Sequence, residues 1–307
     1  MDNIIIVNPC AGNGRTKKIW PQIEASLKKN IGSFSVKFTS ARGDGTILTR
    51  QILDSGPARI VAIGGDGLLN EVLNGFFIDD ILISSDACLS FVMTGTGCDF
   101  QRTLGLPNNW KSGLENLKNS ETRKIDIGKV IYSTDDKKEK KRYFINIASF
   151  GLSGAVDQAI EKLRMPRFLG GKLLFLFATI KTIFTCRNQS IRYSIDGNKW
   201  FEIKTRLGVL ANGQFFGGGM NVAPKAKLDD GFLDLLILKE ISLLKLLLHL
   251  TRIYNGNHLL SPDVFYFKIK RFDVSSLEKI LLDIDGESSE SSEARFEILP
   301  KMLNIQI

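Results

Sequence analysis

Glycine at the ends of short apolar runs constrains this chain more than any other feature. Ile4-Ile5-Ile6-Val7 closes on Asn8-Pro9 and then Gly12-Asn13-Gly14. Arg59-Ile60-Val61-Ala62-Ile63 closes on Gly64-Gly65-Asp66-Gly67, and Leu89 to Met93 closes on Gly95-Thr96-Gly97. Short β-branched or apolar runs bounded by turn formers read as buried strands. Helical spacing follows the first run, with Ile19, Trp20, Ile23 and Leu27 between Lys17 and Lys29, and returns from Leu69 to Phe76. A further strand is expected from Phe34 to Thr39 and a helix near Thr46 to Leu53. Strands alternating with helices predict a parallel α/β sheet, with its ligand site at the carboxyl ends of the strands.

The grammar changes after about Thr122. Strand-like runs recur at hairpin spacing: Lys124 to Val130, Arg142 to Ile147, Ile191 to Ile195, Phe201 to Leu210, Leu233 to Leu238, Val264 to Arg271 and Ile280 to Ile284. They predict a mostly antiparallel second domain, a sandwich or open barrel. Helical insertions are expected at Ala155 to Thr185 and Ser242 to Tyr254. Asp135 to Lys141 reads as a solvated hairpin tip and Ser288 to Ser292 as a polar loop. The expected boundaries are 1–123 for the α/β domain and 124–293 for the sandwich.

Several function classes are disfavoured. Cys10, Cys88, Cys98 and Cys186 are scattered, which argues against a disulfide framework or zinc site and for a reducing, cytoplasmic setting. The opening Met1-Asp2-Asn3-Ile4 lacks the basic start of a signal peptide. Leu173 to Phe184 is the most apolar stretch, but Lys181 interrupts it and it is too short to span a bilayer. The net charge of +8 favours an anionic partner. No interleaved basic-aromatic motif directs that charge to nucleic acid.

Gly64-Gly65-Asp66-Gly67-Leu68-Leu69-Asn70 carries the sharpest chemical signal. Glycines between a strand and a helix let the backbone approach a phosphate chain, and the helix N-terminus favours its charge. Asp66 either serves a magnesium ion or merely caps the helix. Gly95-Thr96-Gly97-Cys98-Asp99 adds a second such turn, and Asn8 with Gly12-Asn13-Gly14 a third. There is no Gly-x-x-x-x-Gly-Lys-Ser/Thr sequence, so a P-loop enzyme is not expected. Further on, Asp229-Asp230-Gly231 is either a hard-cation site or a solvated turn. In Asp283-Ile284-Asp285-Gly286-Glu287 a carboxylate at a strand end is of a type that can take the proton of an attacking hydroxyl.

In this order the segments resemble the diacylglycerol kinase catalytic-domain family, which includes sphingosine and ceramide kinases. The resemblance runs from Ile4 to near the C-terminus. Its most specific parts are Asn212 to Asp234 and the later Asp285-Gly286-Glu287. It implies a Rossmann-like nucleotide domain and a β-sandwich domain, with ATP in the cleft between them. Residues 294–307 are expected to pack back on the first domain. Asn8, Thr39, Gly64, Gly65, Asp66, Gly67, Leu68, Leu69, Asn70, Gly95 and Thr96 would contact the nucleotide. Glu287 would be the general base, linked through Asp66 and Asp99 to the phosphates and a catalytic Mg²⁺. The Lys227 carbonyl, the Asp230 carboxylate and the Phe232 carbonyl match a structural cation site.

Two departures stand out. The family reads Gly-Gly-Asp-Gly-Thr where this chain has Leu68, and Pro-x-Gly-Thr-x-Asn-Asp where it has Met93 and Cys98. A hydrogen bond to a charged group contributes roughly 1.5–3 kcal/mol, so two losses bear on rate or affinity. The expected activity is ATP-dependent phosphorylation of a lipid hydroxyl. The alternative is a degenerate relative that binds lipid or nucleotide as a carrier or regulator. An NAD kinase-like activity fits the Asn212 to Asp234 segment poorly. The expected partners are a lipid substrate and an anionic membrane surface; monomer and homodimer remain open. Two stretches offer membrane contact. In one, Lys162, Arg164, Arg167, Lys172 and Lys181 interleave with Leu163, Met165, Phe168, Leu173, Phe175 and Phe177. The other is Leu243 to Tyr254, with Lys245, His249 and Arg252. Packing on the sandwich, with solvated lysines, is the competing account of both.

Overall fold

The computed structural model describes residues 2–107, 109–118, 121–134, 136, 138–162 and 171–306. The chain divides into two compact units, Met1–Ile125 with Lys301–Ile307, and Asp126–Pro300.

In the first unit the β-branched runs form a parallel sheet. Its order is the C-terminal strand, Cys88–Met93, Ala58–Gly64, Asp2–Val7 and Ser35–Phe38. The C-terminal strand joins through Asn304 opposite Cys88 and Ile305 opposite Leu89. Helix Arg15–Ile31 turns Ile23 and Leu27 onto Ile5, Val7, Val61, Ile63 and Val92. Helices Asp44–Asp54 and Asp66–Gly75 pack on each other, and the second begins directly beyond strand Ala58–Gly64. The glycine-rich segments therefore all leave the carboxyl ends of parallel strands, where sheet hydrogen bonding stops and backbone amides are free for a ligand.

The second unit is mostly antiparallel. Strands Val264–Ile269, Leu233–Lys239, Phe201–Ala211, Gln189–Ile195, Arg271–Ile284 and Glu287–Gln306 follow one another in that order. Strand Ile147–Gly151 pairs with Phe201–Ala211 and Arg271–Ile284, and Thr122–Ser133 forms a hairpin with Glu139–Phe144. One face buries Phe144, Phe150, Phe272 and Phe296, with Phe150 stacked on Phe272 at 5.9 Å. The other face carries Val209 and Leu236 beneath helices Leu152–Lys162, Gly171–Thr185 and Leu243–Ile253. This α/β unit and mostly antiparallel unit are the fold class the sequence pattern predicts.

Three expectations need correction. The strand expected from Arg142 to Ile147 is the junction of two strands, Glu139–Phe144 and Ile147–Gly151. The strand expected from Ile280 to Ile284 begins much earlier, as Arg271–Ile284, irregular between Ser275 and Ile280, and the one expected from Val264 to Arg271 ends at Ile269. Ser288 to Ser292 is no loop; Ser289 pairs with Leu282 and Ser291 with Ile280 in strand Glu287–Gln306. Its partner strand supplies the apolar side chains, so the serines need not. Leu163, Arg164, Met165, Arg167 and Phe168 of the first membrane-contact stretch lie outside the described residues. So do the side chains of Lys162, Lys172, Leu173, Phe175 and Phe177. Among the described residues no helix is long and apolar enough to cross a membrane.

Candidate active site

The three glycine turns of the first unit meet backbone to backbone. Thr94 and Gly95 both donate to the Gly64 carbonyl, at 2.7 and 3.1 Å. A Cβ on Gly95 would lie 2.7 Å from the Gly65 Cα, and one on Gly12 2.7 Å from the Thr94 carbonyl oxygen. No side chain fits at either position. The first turn is tied in further by a 2.6 Å hydrogen bond between the hydroxyls of Thr16 and Thr94.

Asp66 follows the N-cap Gly65 as the first residue of helix Asp66–Gly75. Its carboxylate accepts the Cys98 amide at 2.9 Å, joining two glycine turns that are 32 residues apart in sequence. Asp99 is buried and pairs with Arg102 at 2.6 Å. A Cβ on Gly97 would lie 2.7 Å from Asp66 Oδ2 and 3.9 Å from Asp99 Oδ2, so both carboxylates border that glycine. The N-terminus of the ten-residue helix Asp66–Gly75 opens from the same turn, and its leading amides have no carbonyl partner within the helix.

The other expected contacts are less uniform. Asn8 lies beside Gly64 and accepts the Cys10 amide at 2.9 Å. Thr39 leaves the second strand with its amide on the Val7 carbonyl. Leu68 and Leu69 are buried, so only their backbone amides can serve a phosphate; Leu68 fills the space beside Gly45 and Gly64. Asn70 is also fully buried, and its side chain accepts from Asn74. Burial above all, with Asp66 beside it, pushes the Cys98 thiol up to about 12. It stays protonated and is no nucleophile.

Glu71 was not singled out from sequence. Its two oxygens accept the amides of Gly43 and Gly45, at 2.8 and 3.0 Å, and thereby shape the turn that follows Thr39. The available signal was a glutamate one turn into the helix facing a loop that contains Gly43 and Gly45.

The proton chemistry expected of Glu287 lies in the second unit. Glu287 follows the Asp285-Gly286 turn, whose residues both take positive φ, 51° and 85°. The Asp285 carboxylate accepts three consecutive amides, from Ile145, Asn146 and Ile147, at 2.8, 3.1 and 2.9 Å. Asp283 is buried and accepts the Ser149 hydroxyl at 3.1 Å and the Gly286 amide at 2.8 Å. Two carboxylates thus clamp the turn that presents Glu287. Arg142 lies 3.9 Å from the Glu287 carboxylate.

Asp230 sits on the loop before strand Leu233–Lys239. It accepts the Phe232 amide at 3.1 Å and the Lys268 ammonium at 2.7 Å. Lys268 also reaches Asp234 at 3.1 Å, and Tyr266 donates to Asp234 at 2.5 Å. The preceding segment is a structural brace. Asn212 is fully buried and donates to the carbonyls of Asp126 and Ile145, at 2.9 and 2.7 Å.

Residues 2–130 match the diacylglycerol kinase catalytic domain, and residues 146–307 match the YegS C-terminal NAD kinase beta sandwich-like domain. A curated diacylglycerol kinase of Staphylococcus epidermidis is 30% identical over 302 residues, covering 98% of this chain and 90% of that protein. The chain belongs to the diacylglycerol kinase family of lipid kinases. A second family member, the diacylglycerol kinase of Staphylococcus carnosus, is 28% identical over 98% of this chain and 93% of its own length. The solved structure of a diacylglycerol kinase from Bacillus anthracis str. Sterne shares the fold, with a TM-score of 0.70 at 21% identity, over 99% of this chain and 96% of that one.

Proposed function

We propose that this family member transfers the γ-phosphate of ATP to the hydroxyl of a membrane lipid, with diacylglycerol as the first candidate. The observation that carries the reading is the meeting of the Gly12, Gly64–Gly67 and Gly95–Gly97 turns around Asp66. Side chains are excluded there, so the main chain can approach a triphosphate. Asn8, Thr39, Thr96 and the amides of Gly64 to Asn70 hold the nucleotide. The Asn70 side chain, turned inward, contributes through helix packing.

Glu287 takes the hydroxyl proton as the oxygen attacks phosphorus, and ADP leaves with the electron pair of the broken P–O bond. A magnesium ion fits the oxygen donors Asp66 and Asp99, and when bound there it neutralises phosphate charge. The carbonyls of Lys227 and Phe232 with the Asp230 carboxylate likewise suit a hard cation, although Lys268 already neutralises part of that site. Among the described residues no three His, Cys, Asp or Glu side chains cluster as metal ligands. Any cation therefore depends on backbone carbonyls, water and phosphate.

The test is purified protein with labelled ATP, Mg²⁺ and a panel of lipid alcohols. Product should form, and Glu287→Gln should lower its rate about 10²–10⁴-fold. Full activity in that variant removes Glu287 as the base. Nucleotide or lipid binding with no product at any enzyme concentration favours the carrier reading that Leu68 and Cys98 raise.

A further inference from the structure

The helical layer on the second unit's sheet is apolar on its inner side and on part of its outer side. Inward, Val156, Ala178, Ile183 and Leu246 pack with Val209 and Leu236. A helix facing water on its outer side carries polar residues there. Helix Leu243–Ile253 instead mixes exposed leucines with its exposed Lys245, Thr251 and Arg252. Leu244 is 72% exposed and Leu248 51%, one turn apart, and Leu260 in the following 3-10 turn Asn257–Leu260 is 84% exposed. The neighbouring helix Gly171–Thr185 adds exposed Ile180 and Phe184. Isolated exposed leucines are ordinary, but an apolar face shared by two adjoining helices marks an interaction surface.

The charge on these two helices has one sign. Neither helix contains an aspartate or glutamate. Lys181, Arg187 and Arg252 have no ion pair among the described residues, while Lys245 is held by Asp263 at 3.1 Å. Lys181 and Arg187 also border a groove of about 510 Å³ floored by Ala155, Ala159 and Leu281. A two-fold dimer through this face would set each unpaired cation near its own copy, with no acid on either helix to answer it. An anionic lipid surface answers both features at once.

We infer that this helical layer docks the chain on a bilayer rich in anionic phospholipid. Leu244, Leu248 and Leu260 enter the boundary between headgroups and acyl chains, and Lys181, Arg187 and Arg252 pair with headgroup phosphates. The inference takes its purpose from the lipid-kinase reading, since a bilayer is where such a substrate lies. His249 points away from the interface: it is buried, and burial lowers its pKa.

Two measurements keep these readings apart. The first is co-sedimentation of the full chain with phosphatidylcholine vesicles, with and without phosphatidylglycerol, in the absence of ATP and diacylglycerol. Each cation near an anionic surface strengthens binding about fivefold, so omitting phosphatidylglycerol should weaken it by well over about tenfold. The triple variant Leu244→Gln, Leu248→Gln, Leu260→Gln should bind at least about tenfold less while melting like the parent. Equal vesicle binding by parent and triple variant overturns the inference. So does a parent dimer in vesicle-free solution that the triple variant loses. The second measurement is phosphorylation of a short-chain, water-soluble diacylglycerol, which the triple variant should carry out at the parental rate. No product from the parent here, with vesicle binding intact, defeats the kinase reading and leaves the docking surface standing.

Discussion

The Gly286 amide donates to the buried Asp283 carboxylate at 2.8 Å, closing the turn from which Glu287 emerges. Burial is the main force on Asp283 and pushes its pKa up to about 6, against the opposing pull of hydrogen bonds from Gly286, Asp157 and Ser149. The neutral form of this acid therefore suits the fold better than its anion.

That gives stability a definite pH dependence. In the unfolded chain Asp283 loses its proton near 3.8, and in the folded chain near 6. Between those values the folded state holds more protons, so stability falls as pH rises and stays reduced above about 6. Two units correspond to about 3 kcal/mol. Asp283→Asn, which keeps an acceptor for Gly286 but cannot ionise, should gain on the parent progressively as pH rises from about 4 to about 6 and melt above it at pH 8. Parallel melting curves for the two proteins across this range would show that Asp283 ionises freely in the fold.

Asp285 anchors the same turn differently. Its three amide hydrogen bonds reach a segment 138 to 140 residues earlier, and its φ of 51° suits Asp or Asn better than Ala. Asp285→Ala should cost about 3–5 kcal/mol in urea unfolding, because three buried donors lose their acceptor. Asp285→Asn should cost less than half as much. A cost below about 1 kcal/mol for the alanine variant would show that water replaces the clamp.

Cys98 is a second left-handed residue, with φ 56° and ψ 38°, and it precedes helix Asp99–Thr103. Asparagine, the family residue here, adopts this conformation with less strain than cysteine, and its amide can also serve a phosphate. Cys98→Asn should raise stability by about 0.5–1 kcal/mol and increase kcat/KM for ATP. A stability gain with unchanged kinetics would confine residue 98 to a conformational role.

What was legible from the sequence follows the range of the interactions. Strands of the first unit announce themselves because β-branched runs such as Ile4 to Val7 stop at glycine. Only Ile280 to Ile284 of strand Arg271–Ile284 reads as a strand, because the irregularity between Ser275 and Ile280 breaks the alternation before it. Ser288 to Ser292 reads as a loop because its apolar partners are on another strand. The same limit applies to the site. Asp66 stands out among glycines, but the Cys98 amide that it holds is 32 positions away. Glu71 passes unnoticed because Gly43 and Gly45 precede it by 28 and 26 residues. Local chemistry names candidate residues, and long-range packing gives them their partners.

Lys268 bears on how strongly the Asp230 loop takes a cation. Burial alone would depress its ammonium, but hydrogen bonds to Asp230 and then Asp234 outweigh this and hold its pKa up. The ammonium thus stays charged throughout the physiological range, 2.7 Å from the carboxylate that a divalent ion would need. A positive charge so close repels an incoming dication, by about 2–8 kcal/mol at 4 Å for effective dielectric constants between those of water and a protein surface. Lys268→Gln should therefore lower stability in EDTA, because Asp230 and buried Asp234 lose their counter-charge. It should also make stability more sensitive to Mg²⁺ or Ca²⁺, with a larger rise in Tm at millimolar cation than the parent shows. A variant destabilised in EDTA but no more responsive to the cation would show that Lys268 is a structural partner of two aspartates and that the loop holds no divalent ion.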